Sequence, residues 1–278
     1  MDQVKVMVNG MPGNMASNIA KHVLNDDRFQ LIPLSLTGPE IIEKEYSIGS
    51  ACIRLINPNE RDKAIKELKT KEKNFISVDY THPLAANSNA EFFCNNLLPF
   101  VMGTTGGERG KLEDAVLSSG ICAVIAPNMA KQIVGFQAMM EYGAETFPDL
   151  FKGYTLTLKE SHQKGKADTS GTAKAMIGYF NKLGIPFTDE QVVKERDPEN
   201  QKNSWGVPEE FIKGHGWHTY TIVSGDKTVK FEFTHNVNGR DVYVAGTLDA
   251  ILYLNSRINE GAKGKVFSMI DVLKGTGV

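Results

Sequence analysis

The opening residues constrain this chain more than any others. Val4-Lys5-Val6-Met7-Val8 has the pattern of a strand, Asn9-Gly10-Met11-Pro12-Gly13 that of a glycine turn, and Asn14-Met15-Ala16 that of a helix start. Met15, Ile19 and Val23 then recur every four residues, as one face of a helix does. A strand that runs through a tight turn into a helix is the entrance to a parallel βαβ sheet. It is also an anion site, because glycine backbone can approach a pyrophosphate while the first N–H groups of the helix face its charge. The spacing is G-x-x-G-x-x-A instead of G-x-G-x-x-G, so a plain structural turn is the alternative. What favours a dinucleotide is the context: strand patterns follow at 31–36, 51–56, 75–80, 100–103 and 122–126, with helical stretches between them such as the Ala64, Ile65, Leu68 stripe. This alternation predicts an α/β fold with an N-terminal Rossmann-like, doubly wound parallel sheet.

The register changes after Asn128. A helix is expected over 130–145, ended by Pro148, followed by strands at 154–160, 219–223, 229–234 and 241–245 and by helical segments at 247–258 and 266–274. Runs of strands with few crossover helices predict a second, α+β domain built on a mixed or antiparallel sheet. The expected boundaries are 1–129 for dinucleotide binding and 130–245 for substrate binding and oligomerisation, and 278 residues suffice for two cores.

A formal charge of -2 with no basic stripe argues against nucleic acid, and no apolar run approaches the roughly 20 residues of a membrane span. Cys52, Cys94 and Cys122 lie far apart without C-x-x-C spacing and read as buried thiols in a reducing compartment. Met1 to Val8 run directly into a strand pattern without a basic leader, so cytoplasmic residence is the expectation.

The second strand ends in Leu34-Ser35-Leu36-Thr37, with no acid for a ribose diol. That favours NADPH over NADH, with Ser35 and Thr37 as donors to a 2′-phosphate, although no Arg stands beside them. Gly103-Thr104-Thr105-Gly106-Gly107 and Ala126-Pro127-Asn128-Met129 follow later strands and fall on the same carboxyl edge, where open α/β sheets bind ligands.

Polar groups are densest from Lys159 to Ala173. Ser170 is placed to cap the helix that follows, leaving the N–H groups of Gly171 and Thr172 open at its positive end. Lys166 adds a fixed cation, and His162 can donate a proton near neutral pH. The set suits an anionic substrate that is protonated as it is reduced; the bland alternative is solvated loop residues and a simple cap. His215 and His218 resemble a metal pair only by count, so no metal is expected and they read as loop or sheet residues near the substrate. Pro198 to Pro208 reads as an extended excursion, a lid or an oligomer contact.

At these residues the chain resembles the dihydrodipicolinate reductase family, the 4-hydroxy-tetrahydrodipicolinate reductases, over essentially its whole length. The resemblance rests on Gly10-x-x-Gly13-x-Met15, Gly103-Thr104-Thr105-Gly106, Pro127-Asn128 and Glu160-Ser161-His162-x-x-x-Lys166-x-Asp168-x-Ser170-Gly171-Thr172-Ala173. Glu160-Ser161-His162-Gln163, His235-Asn236 and Gly246-Thr247-x-Asp249-Ala250 are similar to its plant-type branch.

The resemblance implies that Gly10, Gly13, Asn14 and Met15 hold the pyrophosphate region, and that Gly103, Thr104, Thr105, Ala126, Pro127, Asn128 and Met129 surround the nicotinamide. It implies His162 and Lys166 as the acid–base pair, with Gly171 and Thr172 gripping a carboxylate of a cyclic dicarboxylate. Gln163 stands where many bacterial members place a second substrate-binding histidine. The C-terminal helices, 246–278, would complete the nucleotide domain, and the protein would be a homo-oligomer, dimeric or tetrameric. The implied reaction is NAD(P)H-dependent reduction of 4-hydroxy-tetrahydrodipicolinate to tetrahydrodipicolinate in the diaminopimelate route to lysine. Ala16 in place of a glycine, and the missing basic residue after the second strand, are departures that bear on cofactor choice. Two rivals stand beside this: a dehydrogenase for another small acid, for which no cysteine is suitably placed, and a non-catalytic dinucleotide-binding regulatory protein.

Overall fold

A computed structural model describes residues 3–275; residues 1–2 and 276–278, the ends of the expected nucleotide domain, lie outside the described residues. The first elements are β1 (Val4–Asn9), α1 (Asn14–Leu24), β2 (Phe29–Leu31), β3 (Leu34–Leu36), β4 (Glu45–Ile48), β5 (Ala51–Ile56), α2 (Arg61–Lys71), β6 (Phe75–Asp79), α3 (Ala86–Asn95), β7 (Phe100–Met102), α4 (Arg109–Ser119) and β8 (Cys122–Ile125). Next come α5 (Lys131–Thr146), β9 (Thr155–His162), α6 (Gly171–Lys182), β10 (Val193–Glu195), α7 (Pro198–Asn203), β11 (His215–Val223), β12 (Lys230–Asn238), α8 (Asp241–Asn259), β13 (Lys265–Phe267) and α9 (Met269–Gly275). Two compact units result: residues up to Lys131 together with those from Asp241 onward, and Gln132–Arg240.

In the first unit a six-stranded sheet runs in the order β13-β8-β7-β6-β1-β2, every neighbouring pair parallel. Strands β6, β7 and β8 are buried along their whole length, as expected where helices cover both faces. Helix α1 turns Ala16, Ile19, Ala20 and Val23 inward, and burying Ile19 and Val23 contributes about 2 kcal/mol each. Asn9, fully buried at the end of β1, donates to Ser77 Oγ at 2.7 Å and to Val78 O at 3.2 Å. Its Oδ1 accepts the Leu36 N–H at 3.0 Å, so one amide ties β6 and β3 to β1 beside the glycine turn.

Several expectations change here. The 31–36 segment is two short strands, because Pro33 has no N–H to offer a ladder; β2 joins the large sheet, while β3 pairs with β5 in a separate three-stranded sheet, β3-β5-β4. The 51–56 strand therefore lies outside the parallel sheet. Its Cys52 is exposed, contrary to the expected burial, although Cys94 and Cys122 are buried. Residues 241–245 are not a strand but the first turns of α8, since Val244, Leu248 and Ile251 share one buried helical face. The 266–274 segment supplies the sixth strand before its helix: Gly264 N–H bonds Gly120 O and docks Val266 beside β8. No described helix is long and apolar enough to cross a membrane.

The second unit carries a mixed sheet, β10-β9-β11-β12, in which β10 and β9 are parallel and the remaining pairs antiparallel. One face packs Leu158, Tyr220 and Ile222 against Met176, Ile177 and Phe180 of α6 and Phe136 and Met140 of α5. The alternate residues Thr157, Lys159, Glu232 and Thr234 are exposed on the other face, the period of two that a one-sided sheet requires. The 198–208 excursion is not extended: it begins as α7, capped by Asp197, and fully buries Gln201.

Candidate active site

The first unit offers an anion cradle at the carboxyl edge of its sheet. Gly10 has φ +102, and a Cβ there would overlap the Tyr80 carbonyl and stand 2.7 Å from its carbon. Gly13 caps α1 without any side-chain acceptor, which leaves the amides at Asn14 and Met15 facing outward for a ligand. A Cβ at Gly13 would likewise stand 2.7 Å from the Gly10 carbonyl oxygen, so the turn admits only glycine at both positions, and its bare backbone and the open helix end fit a pyrophosphate.

The Gly103 to Thr105 and Ala126 to Met129 loops leave the neighbouring strands β7 and β8 on that edge. Thr105 and Pro127 are exposed and Asn128 is half-buried, its Oδ1 accepting the Ala130 N–H at 2.9 Å.

Three expected cofactor contacts are taken up by the fold. The Ser35 hydroxyl is fully buried and accepts the Met11 N–H at 3.3 Å, while Thr37 is buried and its hydroxyl donates to Ile56 O at 3.2 Å. Neither is placed to donate to a 2′-phosphate. The Thr104 hydroxyl is likewise committed, donating to the buried Asp79 carboxyl and accepting the Thr81 N–H at 3.0 Å, so Thr104 shapes its loop from within. Burial pushes the Asp79 carboxyl up, against hydrogen bonds from Thr104, Thr81 and Asn89.

A seam missed by sequence reading joins α8 to these loops. Tyr80 OH bonds Thr247 Oγ1 at 2.6 Å, Lys131 pairs with Asp249, and Gly246 lies against the Met129 carbonyl. The quoted Gly246-Thr247-x-Asp249 pattern was the signal available for it.

In the second unit the chemistry gathers where β9 ends. Glu160 is fully buried, with one carboxylate oxygen on Arg196 and the other accepting the Ser170 N–H at 3.1 Å. Burial alone would raise its pKa, but His218, Arg196 and the Ser170 amide hold it well below the usual carboxylate range. Ser170 caps α6 as expected, accepting the Ala173 N–H at 3.1 Å, and its hydroxyl lies 2.8 Å from His218 Nε2. Among the described residues the amides of Gly171 and Thr172 have no acceptor, and no side chain stands within 4 Å of where a Gly171 Cβ would be. Lys166 is half-buried with its ammonium in no described ion pair, and Gln163 is exposed.

His162 differs from expectation. Burial, reinforced by the neighbouring His218, lowers its pKa to about 4, so it rests neutral and not as a proton donor near pH 7. Its Nδ1–H donates to His215 O at 3.1 Å, which leaves the buried Nε2 lone pair without a partner. His218 and His215 are buried on β11, and His235 of β12 stacks on His218 at 4.7 Å.

Glu160, His162 and His218 each offer a ligand atom within 4.8 Å of the others. Both Glu160 oxygens are already engaged, however, and the guanidinium on that carboxylate would repel a cation. The cluster suits protons and an anion better than a metal.

Burial and the neighbouring imidazoles also lower His235 to about 4. Both histidines are about 6.5 when unfolded, so between about 4 and 6.5 the folded chain binds fewer protons. The stability they contribute is complete above pH 6.5 and is lost as pH falls, up to about 3 kcal/mol for either alone. The melting temperature should therefore drop most steeply between pH 6.5 and 4.5, and His235→Gln should flatten that drop; an unchanged slope would count against it.

Comparison with known proteins places both units. Residues 4–129 match the family described as "Dihydrodipicolinate reductase, N-terminus" and residues 133–273 the one described as "Dihydrodipicolinate reductase, C-terminus". A "Probable 4-hydroxy-tetrahydrodipicolinate reductase 2, chloroplastic" from Oryza sativa subsp. japonica is 42% identical over 97% of this chain and 82% of its own length. The "4-hydroxy-tetrahydrodipicolinate reductase 1, chloroplastic" of Arabidopsis thaliana is 43% identical, over 98% of this chain and 78% of its own. Among solved structures, the dipicolinate-bound dihydrodipicolinate reductase from Paenisporosarcina sp. TG-14 shares the fold, with a TM-score of 0.67 and 16% identity over 97% of this chain and 99% of that one.

Proposed function

The chain belongs to the dihydrodipicolinate reductase family, and from that premise we propose that it reduces 4-hydroxy-tetrahydrodipicolinate to tetrahydrodipicolinate in the diaminopimelate route to lysine. One observation carries the chemistry to these residues. A single stretch from His162 to Thr172 presents an unpartnered imidazole nitrogen, an ammonium and two open amides at a helix N-terminus.

The cofactor is a nicotinamide dinucleotide, held by Gly10, Gly13, Asn14 and Met15 at the pyrophosphate and by the Gly103–Thr105 and Ala126–Met129 loops at the nicotinamide. When bound and reduced, it supplies the hydride. The amides of Gly171 and Thr172 and the Lys166 ammonium bind and orient the substrate's carboxylates, with Gln163 at the rim. The dianion also raises the proton affinity of His162, which lets Nε2 take up a proton and pass it to the departing 4-hydroxyl, lost as water.

NADPH is the proposed reductant because no acid ends the Leu34 to Thr37 segment, but the discrimination is weak. The Ser35 and Thr37 hydroxyls are occupied, and Glu40 folds its carboxylate back over Gly38 just past β3, where it would oppose a 2′-phosphate and suit a ribose diol. Fresh synthase product should be reduced with either cofactor, at kcat/KM values within about tenfold of each other, or about 1.4 kcal/mol. Saturable cofactor binding without turnover of the dicarboxylate would overturn the functional reading, and a hundredfold preference for NADPH would overturn the role of Glu40.

The open, threonine-bearing face of the second unit's sheet supports a homo-oligomer, dimeric or tetrameric. Cytoplasmic residence belongs to the proposal, supported by three free cysteines; the plant relatives are described as chloroplastic.

A further inference from the structure

The loop that carries Lys166 is held in place by residues to which no role has been given. Strand β10 pairs with β9 in register Glu195 to Ser161, which brings Arg196, the next residue, alongside His162. Its side chain is 16% exposed, and the guanidinium engages four acceptors. Nε donates to Lys166 O at 2.6 Å, Nη1 to Glu195 O at 2.9 Å and Glu160 O at 3.4 Å, and Nη2 pairs with the Glu160 carboxylate.

That same carboxylate accepts the Ser170 N–H, so Glu160 ties both the middle of the loop, through Arg196, and its far end. Gln201 of α7 secures the near end, its Nε2 donating to His162 O at 2.7 Å. Residues 163–165 and 167–168 are exposed between these pins, and inside the loop the Lys166 amide bonds only back to Gln163 O.

We propose that Arg196 is a positioning residue for the reaction: anchored on buried Glu160, it fixes the Lys166 backbone and so sets where the Lys166 ammonium meets the substrate. The inference rests on the functional reading above, in which Lys166 binds a carboxylate. A lysine at 196 could still neutralise Glu160, but one ammonium cannot also reach the Lys166 and Glu195 carbonyls as a planar fork does. Charge neutralisation and positioning are therefore separable by Arg196→Lys.

The test compares wild type, Arg196→Lys, Lys166→Ala and the double variant, reading thermal melts, cofactor binding, kinetics with the cyclic dicarboxylate, and amide hydrogen exchange across residues 163–169. Arg196→Lys should melt within a few degrees of wild type and bind cofactor normally. It should lose at least tenfold in kcat/KM and exchange the loop amides faster. In the Lys166→Ala background the same substitution should cost less than twofold, since its effect passes through Lys166. Guanidinium ion should restore activity to Arg196→Ala where methylammonium does not.

Wild-type kinetics in Arg196→Lys, or an undiminished loss on top of Lys166→Ala, would overturn the proposal. If the wild type does not reduce the dicarboxylate, the functional reading fails; the exchange measurement still decides, because unchanged loop protection in Arg196→Lys sinks the positioning role by itself.

Discussion

Lys166→Ala is expected to lower kcat/KM for the cyclic dicarboxylate by about 100-fold, and His162→Ala by roughly 100- to 10,000-fold, with NADPH affinity unchanged in both. The two losses have different origins. Lys166 contributes a fixed charge that opposes an anionic ring, and the open amides of Gly171 and Thr172 cannot replace a full charge. His162 contributes a proton path, and the Nε2 atoms of the neighbouring His218 and His215 are already engaged, by Ser170 and Ser161. Because His162 sits at about 4 in the free protein and a bound dianion raises it, its inflection in kcat should lie at higher pH than in kcat/KM. Cofactor affinity should survive, since the Gly10 to Met15 cradle belongs to the other unit. Near-normal turnover in both variants, measured by cofactor oxidation with fresh synthase product, would remove His162 and Lys166 from the reaction.

The large sheet was legible in the sequence because its strands are continuous apolar runs with turn residues between them, and Val4 to Asn9, Phe75 to Asp79 and Cys122 to Ile125 fall where the pattern puts them. Less legible was membership in a sheet. Periodicity marks Ala51 to Ile56 as a strand but says nothing of its partner, which tertiary pairing with β3 decides. Asp241 to Ala245 alternates over too few residues to separate a strand from a helix, and only the longer Val244, Leu248, Ile251 spacing does so.

The site divides in the same way. His162, Lys166 and Ser170 to Thr172 lie in one short stretch and could be seen together. Arg196 and Gln201 come from a segment with no motif, brought there by β10 pairing with β9. The state of His162 was hidden for a physical reason: its proton affinity follows from burial and from His218, neither of which one stretch of sequence contains.

Gly246→Ala is expected to be severely damaging for a single added methyl, costing roughly 3 kcal/mol of stability and weakening cofactor binding at least tenfold. A Cβ at this position would overlap the Met129 carbonyl oxygen and stand 2.9 Å from its carbon. The obstacle is backbone, so no rotamer change relieves it. Either α8 moves away, straining the Tyr80–Thr247 and Lys131–Asp249 contacts, or the Ala126–Met129 loop moves and takes its share of the cofactor site with it. Gly178→Ala makes the contrast: mid-way along α6, its added Cβ meets nothing within 4 Å, and replacing glycine in a helix interior should stabilise by up to about 1 kcal/mol. Thermal melts and a fluorescence titration with NADPH separate the two cases. If Gly246→Ala melted like the wild type and bound NADPH as tightly, the close packing of α8 on the Met129 loop would not be what holds that edge of the cradle in shape.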